Sequence, residues 1–411
     1  MKALPLLRYN QELSPQTPST VASPARAWTV ASLLSAAGFI NYLDRAIVSV
    51  ALPIIAMELH LGPEAKGVLL SAFFWSYALM QLPVGWAADR YNLRWLYAAG
   101  FIIWSVACGL TGLAATLAAL FGMRMLLGIG ESIFMPGGMK IISLLFGPKE
   151  RGLAAGIMDC GSRAGLALGA PLIAFLVSRM GWRQAFAVLG FGSVLWLIPW
   201  LAAAPRGLRS HAAPPSLMRS LRTMDRNLLG MCLGHVCYGY YWYLLVTWLP
   251  AYLVEARHMT LTQAGAWVSV PYLVFTLSEP LGGWIADRLT SFGYEERFAR
   301  KLVVTASYAS SLMLLAGGRA ANNVTALLMI SAACLVGLST GNLYTLGASV
   351  APPGEEGTWL GCINFAGNVP GIAAPIITGV LIAHTGSYYP GFEVAVGVLL
   401  LGPVAYWTLV R

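Results

Sequence analysis

The sequence predicts an all-α membrane protein of twelve transmembrane helices arranged as two six-helix bundles. The evidence is the composition, the recurrence of apolar runs and a motif repeated half a chain apart. Of the 411 residues, 57% are hydrophobic and 10% are charged, whereas soluble domains carry about 25% charged residues. Apolar runs of about 20 residues, enough to cross a hydrocarbon layer of about 30 Å, recur along the chain. The connecting loops are short, so we expect no sizeable soluble domain.

The apolar runs define the predicted helices and their grouping. The twelve predicted spans are approximately residues 28–57, 66–88, 95–115, 118–146, 152–178, 183–203, 228–254, 261–286, 301–317, 324–350, 358–383 and 389–410. They form a first bundle over 28–204 and a second over 227–411, joined by a basic, proline-containing cytoplasmic linker at 205–226. Residues 1–27 contain prolines among Ser, Thr and Gln and lack the apolar core of a signal peptide. We predict that they form a disordered cytoplasmic tail.

An internal repeat supports the division into two bundles. GWAADR at residues 85–90 recurs as GWIADR at 283–288, an offset of 198 residues. Each copy falls at the end of the second span of its half. Many secondary transporters use duplicated bundles that rock about a central site, so the repeat predicts alternating access.

The repeated motif places an acid beside a base at corresponding helix ends. Asp89 is followed by Arg90 and, four residues later, by Arg94, and Asp287 is followed by Arg288. Such charges at helix ends can form a conformational latch that holds in one state and releases in the other. No basic residue follows Arg288 at the place that matches Arg94, so the second latch is less complete.

The distribution of basic residues predicts the orientation. The formal net charge is +9, but 17 of the 26 Lys and Arg residues fall on the predicted side of both termini and five on the other. By the positive-inside rule both termini are therefore cytoplasmic. Because the basic residues follow the predicted membrane orientation, the positive net charge does not indicate binding to nucleic acid. All six cysteines lie within predicted spans, so we expect neither a disulfide framework nor a metal or other cofactor.

Four ionisable residues interrupt the apolar runs of the first bundle. Asp44 and Arg45 lie in NYLDRAIVSV, on one stripe of the first helix with Asn41. Arg124 and Glu131 lie in RMLLGIGES, seven residues or nearly two helical turns apart, so they share one face. The two helices thus offer two acids and two guanidinium groups, enough for mutual neutralisation. The position that matches Asp44 in the second half is Trp242. The two halves therefore share a scaffold but not the same charged residues.

Two interpretations of these charges remain open. If a substrate carboxylate draws Arg45 away from an acid, burial favours protonation of the abandoned acid, which couples anion binding to proton binding. Arginine suits this role because its planar fork binds a carboxylate bidentately. Alternatively, the four residues form a fixed buried ion-pair network.

The loop pattern Gly85, Asp89, Arg90 and Arg94 resembles that of the major facilitator superfamily. NYLDR, LLSAFFWSYALMQLPVGWAADR, RMLLGIGES and NFAGNVPGIAAP resemble its anion:cation symporter branch. That branch includes bacterial galactonate and hexuronate transporters, sialin and the vesicular glutamate transporters. The resemblance covers the chain after the tail.

This resemblance implies roles for the charged residues of the first bundle. Arg45 corresponds to the ligand of the substrate carboxylate, with Tyr42 and Tyr77 beside it. Asp44 and Glu131 correspond to the two protonatable acids. The internal partner of these acids is, by the same resemblance, Arg124, which also belongs to the predicted substrate site.

The second bundle contributes fewer implied ligands. Asn364 matches a position that hydrogen-bonds polyol hydroxyls, and Tyr344 lies where relatives carry an aromatic residue near the substrate. We favour core or packing roles for Glu279 and His235 over roles as polar cavity residues.

The fifth span, MDCGSRAGLALGAP, departs from the family pattern. Asp159 replaces a common Asn, and Arg163 follows Ser162, a position that faces substrate in the sugar-acid members. Asp159 and Arg163 are four residues apart and can form an intrahelical pair. Alternatively, Arg163 is a second cationic ligand for a more acidic or differently shaped anion.

These observations predict a proton-coupled symporter of a small organic anion, a sugar acid or related carboxylate, in a bacterial inner membrane. An organic-anion exchanger or a drug-type exporter of the same fold is the alternative. We expect a monomer whose partners are the anion, protons and membrane lipid. The chain contains neither His-Glu-x-x-His nor Gly-x-Ser-x-Gly, which argues against an enzyme.

Overall fold

The computed structural model describes residues 23–209, 225–352 and 356–411, and all regular structure in these ranges is helical. The predicted tail up to residue 22 and residues 210–224 of the predicted linker lie outside the described residues. The first helix begins at Pro24, before the predicted start at residue 28. Proline suits this position because the first turn of a helix needs no backbone N–H.

The first half is built from helices that follow the predicted spans. They are α1 (Pro24–Glu58), α2 (Pro63–Arg90), α3 (Leu93–Thr111), α4 (Leu117–Glu131), α5 (Phe134–Leu145), α6 (Pro148–Met180), α7 (Trp182–Ser193), a 3₁₀ turn (Val194–Trp196) and α8 (Leu197–Ala203).

The helices of the second half likewise include both continuous and divided ones. They are α9 (Arg226–Glu255), α10 (Leu261–Ser291), α11 (Glu296–Ala309), α12 (Leu312–Arg319), α13 (Asn323–Ala333), a 3₁₀ segment (Cys334–Ser339), α14 (Thr340–Val350), α15 (Glu356–Asn368), α16 (Pro370–Thr385) and α17 (Tyr389–Leu409).

Several predicted spans are divided into two helical segments. The span predicted at 118–146 is interrupted after Glu131, between α4 and α5. Nine stretches of the described helices are long and apolar enough to cross a membrane. Helices α2, α9 and α10 are 28, 30 and 31 residues long, which is also sufficient to span about 30 Å. The all-helical prediction is thus confirmed for the described residues.

Helices α1 and α6 run parallel in close contact because α6 carries glycines at the contact points. A Cβ atom on Gly161 would lie 1.7 Å from the carbonyl oxygen of Ser35, and one on Gly165 would lie 2.7 Å from that of Phe39. Both pairs differ by 126 in residue number (161 − 35 and 165 − 39). This register places each residue of α1 level with the α6 residue 126 positions later.

The two halves meet tightly on one side of the molecule. Lys66 at the start of α2 donates from Nζ to Oε1 of Glu255 at the end of α9, over 2.6 Å. The hydroxyl of Tyr388 donates to Oε2 of the same glutamate, also over 2.6 Å. Gly67 on α2 packs against the main chain of Pro375 on α16. We call this the closed side, and the side that carries the start of α1 and the C-terminus the terminal side.

The repeated acidic and basic motifs lie on the terminal side. Arg94 donates from Nη1 to the carbonyl of Ala204 at 3.1 Å and from Nη2 to that of Leu201 at 2.6 Å, at the C-terminal end of α8. The guanidinium of Arg90 lies over the Trp86 ring, 4.3 Å from its centroid. The side chain of Asp89 lies outside the described structure.

The second copy of the motif has a partner that comes from another helix. Asp287 pairs through Oδ1 with Nη2 of Arg300 at 3.1 Å, and Arg300 also contacts Glu296 and Asn342. Arg288 lies over the Trp284 ring. The second copy has no basic residue at the position that matches Arg94, and Arg300 of α11 supplies a basic partner for Asp287 instead.

Candidate functional site

Two adjoining cavities lie between the halves. The larger has a volume of about 150 Å³ and the smaller about 70 Å³. Tyr42, Arg45, Trp242 and Tyr243 line both cavities. One water needs only about 10–15 Å³ of such space, so the larger cavity has room for a small organic molecule.

Arg45 lies where the two cavities meet and forms an ion pair with Glu131. Its Nε donates to Oε2 of Glu131 at 2.8 Å. The rings of Tyr77, Phe73 and Tyr42 surround the guanidinium, with centroids 4.6, 4.7 and 5.5 Å from Cζ. The side chain remains 16% exposed, and no hydrogen bond joins its terminal nitrogens to another described residue. These nitrogens are therefore available to a ligand in the cavity.

The two acids of the first bundle have different surroundings. Both are fully buried, but Glu131 has a guanidinium partner whereas Asp44 has none among the described residues. The Asp44 carboxylate accepts a hydrogen bond from the Cys108 thiol, with a distance of 3.2 Å between Sγ and Oδ1. Its Oδ2 is buried without a hydrogen-bond partner there. An isolated buried carboxylate is costly, so a proton is the simplest counter-charge for Asp44.

Arg124 does not form the ion pair that was predicted for it within the described residues. It is buried and donates from Nη1 to the main-chain carbonyl of Asp44 at 3.0 Å. It lines the smaller cavity. Seven residues of helix span about 10 Å, which separates Arg124 from Glu131 along α4 although both lie on one face.

Arg163 lies in the wall of the larger cavity and forms the intrahelical pair with Asp159 that the sequence left open as one alternative. Its Nε lies 3.2 Å from Oδ2 of Asp159 on the same helix, and its Nη1 lies 2.9 Å from Oε1 of Glu279 on α10. Asp159 and Ser162 line the same cavity. Glu279, for which a core or packing role was favoured, thus pairs with a cavity arginine across the two halves.

The second half supplies aromatic and amide groups to the larger cavity. The Tyr344 hydroxyl donates to Oδ1 of Asn364 at 3.4 Å, so these two predicted residues lie together. The His235 ring packs edge-on against Tyr344 at 5.4 Å between centroids. His235 also lines the larger cavity, so its role is not packing alone.

Tyr243 and Asn368, which were not predicted from the sequence, also line the larger cavity. The Tyr243 hydroxyl donates to Oδ1 of Asn368 at 2.6 Å, and the Tyr243 ring packs against Phe74 at 4.4 Å across the halves. Asn368 follows Asn364 by four residues and thus shares its helix face. That spacing was the available signal.

A family model and several relatives match this architecture. The Major Facilitator Superfamily model matches residues 34–375. The chain belongs to the Major Facilitator Superfamily. It is a transporter of that superfamily, not an enzyme.

Curated bacterial members of the superfamily match nearly the whole chain. "Uncharacterized transporter YybO" of Bacillus subtilis is 33% identical, covering 92% of this chain and 93% of that protein. "Probable sulfoacetate transporter SauU" of Cupriavidus necator is 31% identical, with coverages of 89% and 90%. The "D-galactonate transporter" of Escherichia coli O6:H1 is 30% identical, with coverages of 90% and 92%.

A solved structure confirms the major facilitator fold. The crystal structure of a bacterial homolog of the human lysosomal transporter Spinster superposes with a TM-score of 0.79 at 20% identity. The alignment covers 95% of this chain and 98% of that one.

Proposed function

We propose that this superfamily member is a proton-coupled symporter of a small organic anion, a sugar acid or related carboxylate. The observation that carries the proposal is the arrangement around Arg45. Its Nε is held by Glu131 at 2.8 Å, while its partly exposed guanidinium borders two cavities. The terminal nitrogens of Arg45 have no hydrogen bond to another described residue, and such a cationic donor group favours an anion over the cationic substrate that a drug-type exporter would carry.

The proposed coupling is an exchange of partners at Arg45. A substrate carboxylate binds the terminal nitrogens of the guanidinium, where two parallel hydrogen bonds are possible. As the guanidinium turns toward the substrate, Glu131 loses its charge partner inside an apolar environment. A buried carboxylate without a partner is strongly disfavoured, so Glu131 takes up a proton. Anion and proton are then bound together.

Asp44 provides a second proton-binding carboxyl close to the first. It lies one residue before Arg45, and Cys108 is the only described side chain that donates a hydrogen bond to its carboxylate. We propose that Asp44 passes protons between Glu131 and the transport path. Arg124 donates a hydrogen bond to the main chain of Asp44, and we propose that this contact holds α1 in register with α4. Tyr42 and Tyr77 shape the wall around the guanidinium.

The polar groups of the second half are proposed to bind the rest of the substrate. Asn364 and Tyr344 of the second half line the larger cavity together with Ser162 of α6 in the first half, and their amide and hydroxyl groups suit the hydroxyls of a sugar acid. Two relatives are a D-galactonate transporter and a probable sulfoacetate transporter, which supports an anionic substrate.

Alternating access is the proposed mechanism of movement. The halves are joined at the closed side by the ion pair of Lys66 with Glu255, and Tyr388 of the second half also donates to that glutamate. With both termini in the cytoplasm and the chain in the inner membrane, as we propose, the described state is closed toward the cell exterior. In the opposite state, the repeated charged residues would form a latch on the terminal side. They are Asp89, Arg90 and Arg94 in the first half and Asp287 and Arg288 in the second.

Uptake into proteoliposomes tests this function. The protein, reconstituted as the full chain, is given radiolabelled D-gluconate, D-galactonate or sulfoacetate, with and without an inwardly directed proton gradient. We expect accumulation of at least one anion only with the gradient, and none with Arg45→Ala. Uptake that requires a counter-anion inside the proteoliposomes and does not depend on the proton gradient would identify an exchanger and contradict symport.

A further inference from the structure

The larger cavity has a second positive pole besides Arg45. Arg163 is 23% exposed at the side chain and lines the same cavity. It lies 2.9 Å from Glu279 and 3.2 Å from Asp159. Each arginine of the larger cavity is therefore held by a carboxylate from another helix: Arg45 of α1 by Glu131 of α4, and Arg163 of α6 by Glu279 of α10. The sites differ in one respect, because Arg163 also has the half-exposed Asp159 of its own helix beside it.

The two poles lie at different depths of the cavity. By the register between α1 and α6, Arg163 is level with Ala37, because 163 − 126 is 37. Arg45 is eight residues further along α1, so the two backbones are separated by about 12 Å along the helix axis. Tyr42 lies between these levels and lines the cavity. A ligand with charges at two ends of a short chain fits this separation better than one with two adjacent charges.

We propose that Arg163 binds a second anionic group, so that the transported substrate is a dianion with one negative group at each end. This inference rests on the proposed function of Arg45 and specifies its substrate class. The first anionic group binds Arg45 and releases Glu131. The second binds Arg163 and releases Glu279, and the polar chain between them faces Tyr344 and Asn364 of the second half.

Release of Glu279 has a consequence for the proton balance. The charged and titratable groups that interact with it are Arg163 and Asp159 on α6, Tyr238 on α9 and Tyr344 on α14. Among these described neighbours only Arg163 is a cation. When a substrate anion occupies Arg163, a proton is the remaining counter-charge for the partly buried Glu279. A dianion would thus be bound with two protons, one at each glutamate.

Arg163 and Glu279 could instead serve only to hold the two halves together. A purely structural tie would affect all substrates alike, whereas a ligand for one end of a dianion would affect dianions alone. Selectivity between matched anions therefore separates these roles.

The experiment measures binding of two matched pairs to the purified full-length protein. The pairs are D-gluconate and D-glucarate, and D-galactonate and galactarate, and in each pair the second member carries one more carboxylate at the far end of the chain. We expect the wild type to prefer the dianion of at least one pair by about tenfold or more. Arg163→Gln should abolish that preference and leave monoanion affinity within about twofold. Arg319→Gln, at an exposed arginine of α12, should change neither.

Glu279→Gln is the second variant, because it removes the competing carboxylate but keeps Arg163. It should retain the dianion preference, which also shows that loss of the inter-half ion pair does not by itself abolish binding. If Arg163→Gln does not fold, the wild-type preference within the pairs decides the question. Monoanions bound as tightly as their dianions, or equal losses for both in Arg163→Gln, would overturn this inference and leave the symport proposal intact. Absence of gradient-driven uptake for every anion in proteoliposomes would overturn the proposed function as well.

Discussion

Arg45 on α1 and Glu131 on α4 are joined by a hydrogen bond of 2.8 Å between Nε and Oε2, although 86 residues separate them in the chain. The bond uses the side of the guanidinium that faces α4. The terminal nitrogens remain free of hydrogen bonds to described residues. This one-sided pairing gives the arginine a carboxylate partner and a second face for a ligand.

Replacing the proposed proton carrier should separate exchange from accumulation. Glu131→Gln removes the ionisable group but keeps its size, so substrate can still bind and cross by counterflow exchange. Accumulation driven by a proton gradient should be lost, since no proton enters with the anion. Proteoliposome uptake in the two modes measures this effect. Glu393→Gln, at a half-exposed acid, is the control, and a Glu131→Gln protein that still accumulates substrate would show that another group carries the proton.

The shape of the guanidinium should matter as much as its charge. Arg45→Lys keeps the positive charge but removes the planar fork that binds a carboxylate through two parallel hydrogen bonds. We expect the affinity for a carboxylate substrate to fall by about tenfold, or about 1.4 kcal/mol. Equilibrium binding measures this, with Arg319→Lys as the control. Unchanged affinity in Arg45→Lys would mean that the carboxylate does not bind Arg45 bidentately.

The ion pair at the closed side should bias the molecule toward the described state. Lys66→Gln removes a contact between α2 and α9 and should shift the balance of states by about 1 kcal/mol, or about fivefold in population. The readout is labelling of Thr247→Cys in the smaller cavity by a membrane-impermeant maleimide, after replacement of the six native cysteines.

Labelling from the closed side should become faster in Lys66→Gln. Arg319→Gln is the matched control, because Arg319 and Glu393 both belong to the second half and do not join the halves. Equal labelling rates with and without Lys66 would show that this ion pair does not contribute to closure.

The close contact between α1 and α6 predicts opposite effects of one substitution at two glycines. Gly161→Ala would place a Cβ atom 1.7 Å from the Ser35 carbonyl oxygen, so the helices must move apart. Such overpacking costs about 1–3 kcal/mol and should lower the melting temperature in detergent. Gly156→Ala, on the same helix with no neighbouring atom within 4 Å, should be neutral or slightly stabilising. Equal melting temperatures for the two variants would contradict the described packing.

The sequence was sufficient to predict the helical architecture because the physical constraints are local. Apolar runs of bilayer length and a repeated motif identify helices and halves without knowledge of their packing. The sequence also identifies Asp44, Arg45 and Glu131 as candidate functional residues, since ionisable groups in apolar segments are costly and tend to be functional.

Partners across helices could not be predicted in the same way. Glu279 pairs with Arg163 from 116 residues away, and Arg300 reaches Asp287 from the next helix. These pairs depend on how helices are rotated and how deep each residue lies. The same limitation explains the error for Arg124, which shares a helix face with Glu131 but reaches the main chain of Asp44.

Proton uptake on substrate binding tests the central exchange most directly. The purified protein is mixed with an anion that it transports in weakly buffered solution containing a pH-sensitive dye, at a pH where free carboxylates are ionised. The exchange at Arg45 predicts uptake of up to about one proton per monoanion bound, and correspondingly weaker binding as the pH rises. Glu131→Gln should bind the anion without that proton. Wild-type binding with no proton uptake, and with an affinity independent of pH, would contradict the coupling.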